Sequence, residues 1–149
     1  LRKEEVVFKE IQLGAMIEVP SAVLFLDEII QHADFLAIGS NDLIQYTVAA
    51  DREKVSVSKY FEAGNQLILK VLQDIIAKAA ERKMDCCLCG ELAGDLSYTE
   101  RLLKIGLTHF SVVPHLVPLL KEKIQQLETA PKSEELPIAR AIGYNTYQI

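Results

Sequence analysis

The chain has 149 residues, 50% hydrophobic and 25% charged, with a formal net charge of −5 at pH 7, the make-up of a globular domain able to bury a core. The acidic balance and the lack of a Lys/Arg-rich run exclude a nucleic-acid surface, because neutralising phosphates needs clustered cations. No stretch approaches the roughly 18 consecutive apolar residues of a transmembrane helix, so no membrane partner is expected.

In chain order, Leu1 to Glu10 is charged and carries neither an initiator Met nor a signal-peptide pattern, which predicts a piece of a longer protein. Gln12 to Ile17 reads as a short buried strand ending at Glu18. Pro20-Ser21 then opens a helix whose Ala22, Leu26, Ile29 and Ile30 share one face. Phe35 to Gly39 is a second strand, followed by a polar loop beginning Ser40-Asn41-Asp42. A long helix is predicted from about Asn65 to Lys83, with Ile68, Val71, Leu72, Ile75 and Ala79 at helical spacing. Asp85 to Cys89 is the third strand. Ser97-Tyr98-Thr99-Glu100 has the form of a capping box opening a short helix stopped by Gly106, and Thr108 to Val113 is the fourth strand. Pro118 falls in the first turn of a last helix carrying Leu119, Leu120, Ile124 and Leu127. From Thr129 to Ile149 the periodicity is lost, and this tail is expected to be peripheral.

Cys86, Cys87 and Cys89 fall within four positions, an odd number that builds no disulfide framework and suits a reducing, cytoplasmic setting. Cys86-x-x-Cys89 has a zinc or redox spacing, yet no second Cys/His pair follows at ligand distance; His109 and His115 lie too far along.

Four successive strand-helix units predict an α/β fold with a parallel sheet covered by helices. A closed (β/α)8 barrel takes about 250 residues, so four units are about half of one, and an open doubly wound sheet is the structural rival. The predicted strand ends carry Glu18, then Asn41 and Asp42, then Cys89 and Glu91, with Arg52 ten residues beyond Asp42. Ligands bind at the carboxyl ends of parallel strands, and two carboxylates, an amide and a thiol on one rim describe a metal-assisted site. Each residue also has a plain structural role open to it. Asp42 can cap a helix, Arg52 can be solvated, and Glu18 can complement a helix dipole. Cys89 can serve as a small buried hydrophobe and Glu91 as half of an ion pair.

Met16-Ile17-Glu18-Val19-Pro20, Ile38-Gly39-Ser40-Asn41-Asp42-Leu43-Ile44-Gln45-Tyr46, Asp51-Arg52 and Cys89-Gly90-Glu91-Leu92-Ala93-Gly94-Asp95 closely resemble the signature segments of the phosphoenolpyruvate-utilising enzymes. The separations are similar too: 24 positions from Glu18 to Asp42, 10 to Arg52, and 47 from Asp42 to Cys89. The resemblance runs from Gly14 to Ile124. It is nearest to the enzyme I branch of the phosphoenolpyruvate:sugar phosphotransferase system, on Gln45-Tyr46-Thr47 and Leu92-Ala93-Gly94-Asp95.

The resemblance implies that residues 1–128 form the second half of a TIM-type (β/α)8 barrel, strands five to eight, with 129–149 as a tail. It implies transfer of a phosphoryl group from phosphoenolpyruvate to a histidine on another domain, with release of pyruvate. Glu18 and Asp42 would ligate Mg²⁺, Asn41 and Arg52 would bind substrate, Cys89 would protonate carbon, and Glu91 would hold its loop. The implied partners are an N-terminal phosphohistidine domain, a downstream phosphocarrier protein and a second copy of the chain, while His32, His109 and His115 are surface or packing residues. Alone, the chain is expected to be inactive and to self-associate. Two departures stand out: Glu62-Ala63-Gly64-Asn65 replaces a usual His-Pro pair, and Ser111-Val112-Val113-Pro114 replaces a usual Ser-Met-Ser. The alternatives are a fragment of a pyruvate, phosphate dikinase or phosphoenolpyruvate synthase, and a non-catalytic dimerisation module.

Overall fold

Successive side chains of a strand point to opposite faces, so over four or five residues each main strand buries one row, containing Ile17, Ile38 or Leu88, and leaves the other more open. The computed structural model describes residues 9, 11–50, 58–129 and 140–141. Its elements run β1 (Gly14–Ile17), α1 (Pro20–Leu24), α2 (Leu26–Ile29), β2 (Phe35–Gly39), α3 (Ser40–Val48) and α4 (Ser58–Glu81). They continue with β3 (Asp85–Cys89), α5 (Glu91–Gly94), α6 (Thr99–Lys104), β4 (His109–Phe110), a 3-10 turn (Pro114–Leu116), α7 (Val117–Thr129) and β5 (Arg140–Ala141). The strands lie side by side in sequence order and every pairing is parallel. The class is α/β, and the sheet is open, with β1 and β5 at its edges.

The register aligns Ile17 with Ile38, Ile38 with Leu88, and Leu88 with Phe110, a row that is 0% exposed throughout. Burying each such side chain is worth about 1.5–3 kcal/mol. Leu26 of α2, Leu43 of α3, Ile68, Leu72 and Ile75 of α4, Leu102 of α6 and Leu120 of α7 belong to the same core. The next row, Met16, Ala37, Cys87 and His109, points to the other face and is half-buried or exposed. Parallel sheets ordinarily have both faces covered, so a face this bare among the described residues is unusual.

Several elements depart from the sequence expectation. The helix after Pro20 is two short pieces broken at Phe25, although Leu26 and Ile30 still reach the core. The polar stretch after Gly39 is helical from its first residue instead of a loop, and the long helix starts at Ser58 instead of about Asn65. The fourth strand is only two residues long, and three residues past Ser111 Pro114, which lacks an N–H for a ladder, opens a 3-10 turn. The capping box does not form. Ser97 bonds Asp95 Oδ1 through its amide and hydroxyl (2.9 and 2.7 Å), Tyr98 takes the cap without a side-chain bond, and Glu100 pairs with Lys104 at 3.0 Å. Gly106, at φ +93°, turns the chain after α6 where a side chain would be strained. Within the tail, Arg140 and Ala141 add to the sheet beside His109 and Phe110. No helix among the described residues is long and apolar enough to cross a membrane.

Candidate active site

Because every pairing is parallel, the carboxyl ends of the strands share one edge, and the chain leaves them at Glu18, Ser40, Gly90 and Ser111. Glu18, Asn41, Asp42, Cys89 and Glu91 therefore do lie along one rim.

Glu18 and Cys89 sit on either side of Gly39. Gly39 is the β2 partner of Cys89, and a Cβ placed on it would lie 2.9 Å from Glu18 Cβ and 3.0 Å from Glu18 Oε2. The carboxylate thus folds across the glycine toward the thiol, through space that any side chain on residue 39 would fill. Burial holds the Cys89 thiol above its ordinary range, and the negative charge of Glu18 raises it further. The thiol is accordingly protonated at neutral pH. It donates to the Ile38 carbonyl oxygen at 3.1 Å and lies 4.0 Å from Met16 Sδ. Cys86 and Cys87 are pushed up to about 12 and about 11, mainly by burial, so neither is a ready thiolate.

Asn41 is the second residue of α3, and its Oδ1 accepts the backbone N–H of Glu91 at 2.9 Å. That bond fixes the orientation of the amide and leaves the Nδ2 hydrogens as donors. Asp42 follows in the first turn of α3, where a carboxylate is favoured by the helix dipole; that turn is also where a capping role would place it. Gly39 is the N-cap, however, and no side chain caps the helix. Arg52 lies outside the described residues. Among the described residues no group of three or more His, Cys, Asp or Glu is poised around a metal. The donors present are two half-buried carboxylates, Glu18 and Asp42, a set that suits a hard cation completing its shell with water and substrate oxygens.

Two participants were not singled out from the sequence. Ser40 is 0% exposed, and its hydroxyl donates to the Cys89 carbonyl oxygen at 2.8 Å. Gly90 has φ +96°, and a Cβ there would overlap Ser40 Oγ and approach Asn41 Oδ1 to 2.8 Å. Both lie within the segments that carry the family resemblance and adjoin strand ends, and those are the signals the sequence offers for them. Beside this cluster lies a cleft of about 520 Å³ walled by Asn41, Gly90 and Glu91 on one side and by Ser111, Val112 and Val113 on another. Glu18, Asp42 and Cys89 do not line it; the thiol and Glu18 belong to the bare sheet face. His32 and His115 are exposed, and His109 is half-buried with Nδ1 2.9 Å from Thr108 Oγ1.

Comparison with known proteins places most of the chain in one family. The family described as PEP-utilising enzyme, PEP-binding domain, matches residues 1–129. A phosphoenolpyruvate-protein phosphotransferase of Cupriavidus necator is 42% identical over 113 residues, covering 76% of this chain and 19% of that protein. One from Streptococcus equinus is 37% identical over 125 residues, covering 84% of this chain and 22% of that protein. Multiphosphoryl transfer protein 1 of Escherichia coli is 37% identical over 119 residues, covering 80% of this chain and 14% of that protein. The chain thus spans about a fifth of the length of the phosphotransferases it matches. Carrying that domain over most of its length, on a parallel sheet whose strand ends bear the signature residues, the chain belongs to the PEP-utilising enzymes as a PEP-binding domain.

Proposed function

We propose that the chain is the phosphoenolpyruvate-binding half-barrel, strands five to eight, of an enzyme I-type phosphoenolpyruvate-protein phosphotransferase, with the tail beyond residue 128 as a peripheral addition. The carrying observation is the juxtaposition of Glu18 and Cys89 across Gly39, beside an amide held by Asn41 Oδ1. The bare sheet face further supports the half-barrel reading, since in a closed barrel that face is filled by side chains from the other strands.

In the reaction, the bond between phosphorus and the enol oxygen breaks, a bond from phosphorus to a histidine nitrogen on another domain forms, and the enolate carbon takes a proton to give pyruvate. Cys89 holds that proton: its thiol is kept neutral by burial and by Glu18, and it faces the open side of the sheet. Asn41 donates through Nδ2 to a substrate oxygen, and Arg52 grips the phosphate with its forked guanidinium. Glu18 and Asp42 would hold Mg²⁺, whose bound charge neutralises phosphate and carboxylate oxygens as charge develops. His32, His109 and His115 are not acceptors in this scheme, which places the phosphohistidine on another domain and the phosphocarrier downstream of it.

The test is pyruvate release and phosphohistidine formation by the complete gene product carrying this chain, with Glu18→Ala and Asp42→Ala alongside the parent. Each substitution is expected to abolish Mg²⁺-dependent transfer while leaving the far-ultraviolet spectrum unchanged. Parent-like phosphorylation kinetics in either variant would sink the metal assignment.

A further inference from the structure

We infer that Ser40 is a positioning residue for this chemistry: its buried hydroxyl, admitted by the missing side chain of Gly90, ties the loop carrying Cys89 to the helix end carrying Asn41 and Asp42. The inference rests on the functional reading above and adds a part to it. At the end of β3 the Cys89 carbonyl faces the start of α3, where β2 has already turned into helix and offers no further strand amide. The Ser40 hydroxyl takes that place at 2.8 Å, with no exposure to water. Gly90 then turns the chain through φ +96°, ψ −175°, a conformation closed to ordinary residues, and sends the Glu91 N–H back to Asn41 Oδ1.

Two adjacent residues of α3 thus hold positions 89 and 91 of the other segment, some 50 residues away in sequence. A hydroxyl that only filled space would need neither a glycine opposite nor an acceptor at the strand end. The bond fixes the peptide that carries the Cys89 side chain, and the same turn of α3 carries Asp42. Thiol and carboxylate are therefore set relative to each other through one part-buried and one exposed polar contact between the same two segments, and a rim built on separate strands depends on such ties for its geometry.

The experiment compares Ser40→Thr, which keeps the hydroxyl, with Ser40→Val, which has nearly the same volume without it. In the chain itself, Cys86, Cys87 and Cys89 are alkylated with iodoacetamide at one pH and followed separately by peptide mass spectrometry. Ser40→Val is expected to change the Cys89 rate several-fold, with Cys86 and Cys87 at parent rates and Ser40→Thr at the parent rate for all three. In the complete gene product, Ser40→Val is expected to lower kcat for pyruvate release about 10- to 100-fold with KM for phosphoenolpyruvate within about threefold. Equal Cys89 labelling and equal kcat in the two variants would overturn the inference. So would a rise in all three cysteine rates in Ser40→Val that a shift to lower temperature does not confine to Cys89, because the hydroxyl would then serve the core as a whole. A Cys89-specific labelling change in a gene product that releases no pyruvate would leave the latch standing and refute the phosphotransferase reading instead.

Discussion

Replacing Gly39 by alanine adds one methyl group at the point where Glu18 crosses toward Cys89. The backbone itself accepts it: φ −86° and ψ 90° suit any L-residue, and removing a glycine from the unfolded chain stabilises by about 0.4–1 kcal/mol. Against this, the new Cβ would stand 2.9 Å from Glu18 Cβ, 3.0 Å from Oε2 and 3.4 Å from Met16 Sδ. Carbon pairs rest at about 3.5–4.0 Å, so the closest contact is short by about 0.6–1 Å. The carboxylate can swing away, but Glu18 Cβ is fixed to the end of β1, so strand and side chain must shift together. Overpacking of this kind costs about 1–3 kcal/mol against that gain, a net loss of about 1.3 kcal/mol at mid-range and about 2.6 kcal/mol at most. The functional loss is larger in proportion, because a carboxylate moved by about 1 Å can cost about 100-fold in rate. Urea unfolding of the chain followed by circular dichroism measures the first quantity, and Mg²⁺-dependent pyruvate release by the complete gene product the second. A Gly39→Ala variant at least as stable as the parent, with parent turnover, would refute the crossing of Glu18 over Gly39.

Neutralising Glu18 removes the charge that helps hold the Cys89 thiol above its ordinary range, so Glu18→Gln is expected to lower it and speed alkylation of Cys89 at pH 8; an unchanged or slower rate contradicts the electrostatic coupling. Cys86 is held up to about 12 in the folded chain, so above the ordinary thiol pKa the unfolded state loses this proton first and stability falls as pH rises, by about 1.4 kcal/mol per pH unit from this group. Denaturation midpoints between pH 8.5 and 10.5 check this, and Cys86→Ala is expected to flatten the slope. In the complete gene product, Cys89→Ala is expected to slow pyruvate formation far more than it weakens phosphoenolpyruvate binding, whereas Arg52→Ala damages binding itself. Calorimetric titration beside single-turnover rates separates the two, and equal losses of affinity contradict the assigned roles. The isolated chain is expected to self-associate through the bare face or the β1 edge; sedimentation as a compact monomer that binds no hydrophobic dye would refute this.

The sequence by itself determined the two central strands, because in Phe35–Gly39 and Asp85–Cys89 the inward rows, Leu36 with Ile38 and Cys86 with Leu88, are apolar and each run stops at a glycine or just before one. It also determined which residues stand at the strand ends, since a parallel α/β order fixes the edge from which Glu18, Asn41, Asp42 and Cys89 emerge. The immediate start of α3 was hidden because its N-cap is Gly39 with no capping side chain, so the polar Ser-Asn-Asp run looked like a loop. The capping box was legible but false, since Ser97 gives both its amide and its hydroxyl hydrogen to Asp95 Oδ1 and the N-cap of α6 falls on Tyr98 instead. Only the tertiary structure decided that Glu18 reaches across Gly39 and that Ser40 bonds the Cys89 carbonyl 49 positions away. Periodicity encodes which face a side chain takes. Contacts between strands depend on register and on space left by a missing side chain, and neither is written in any local stretch of the chain.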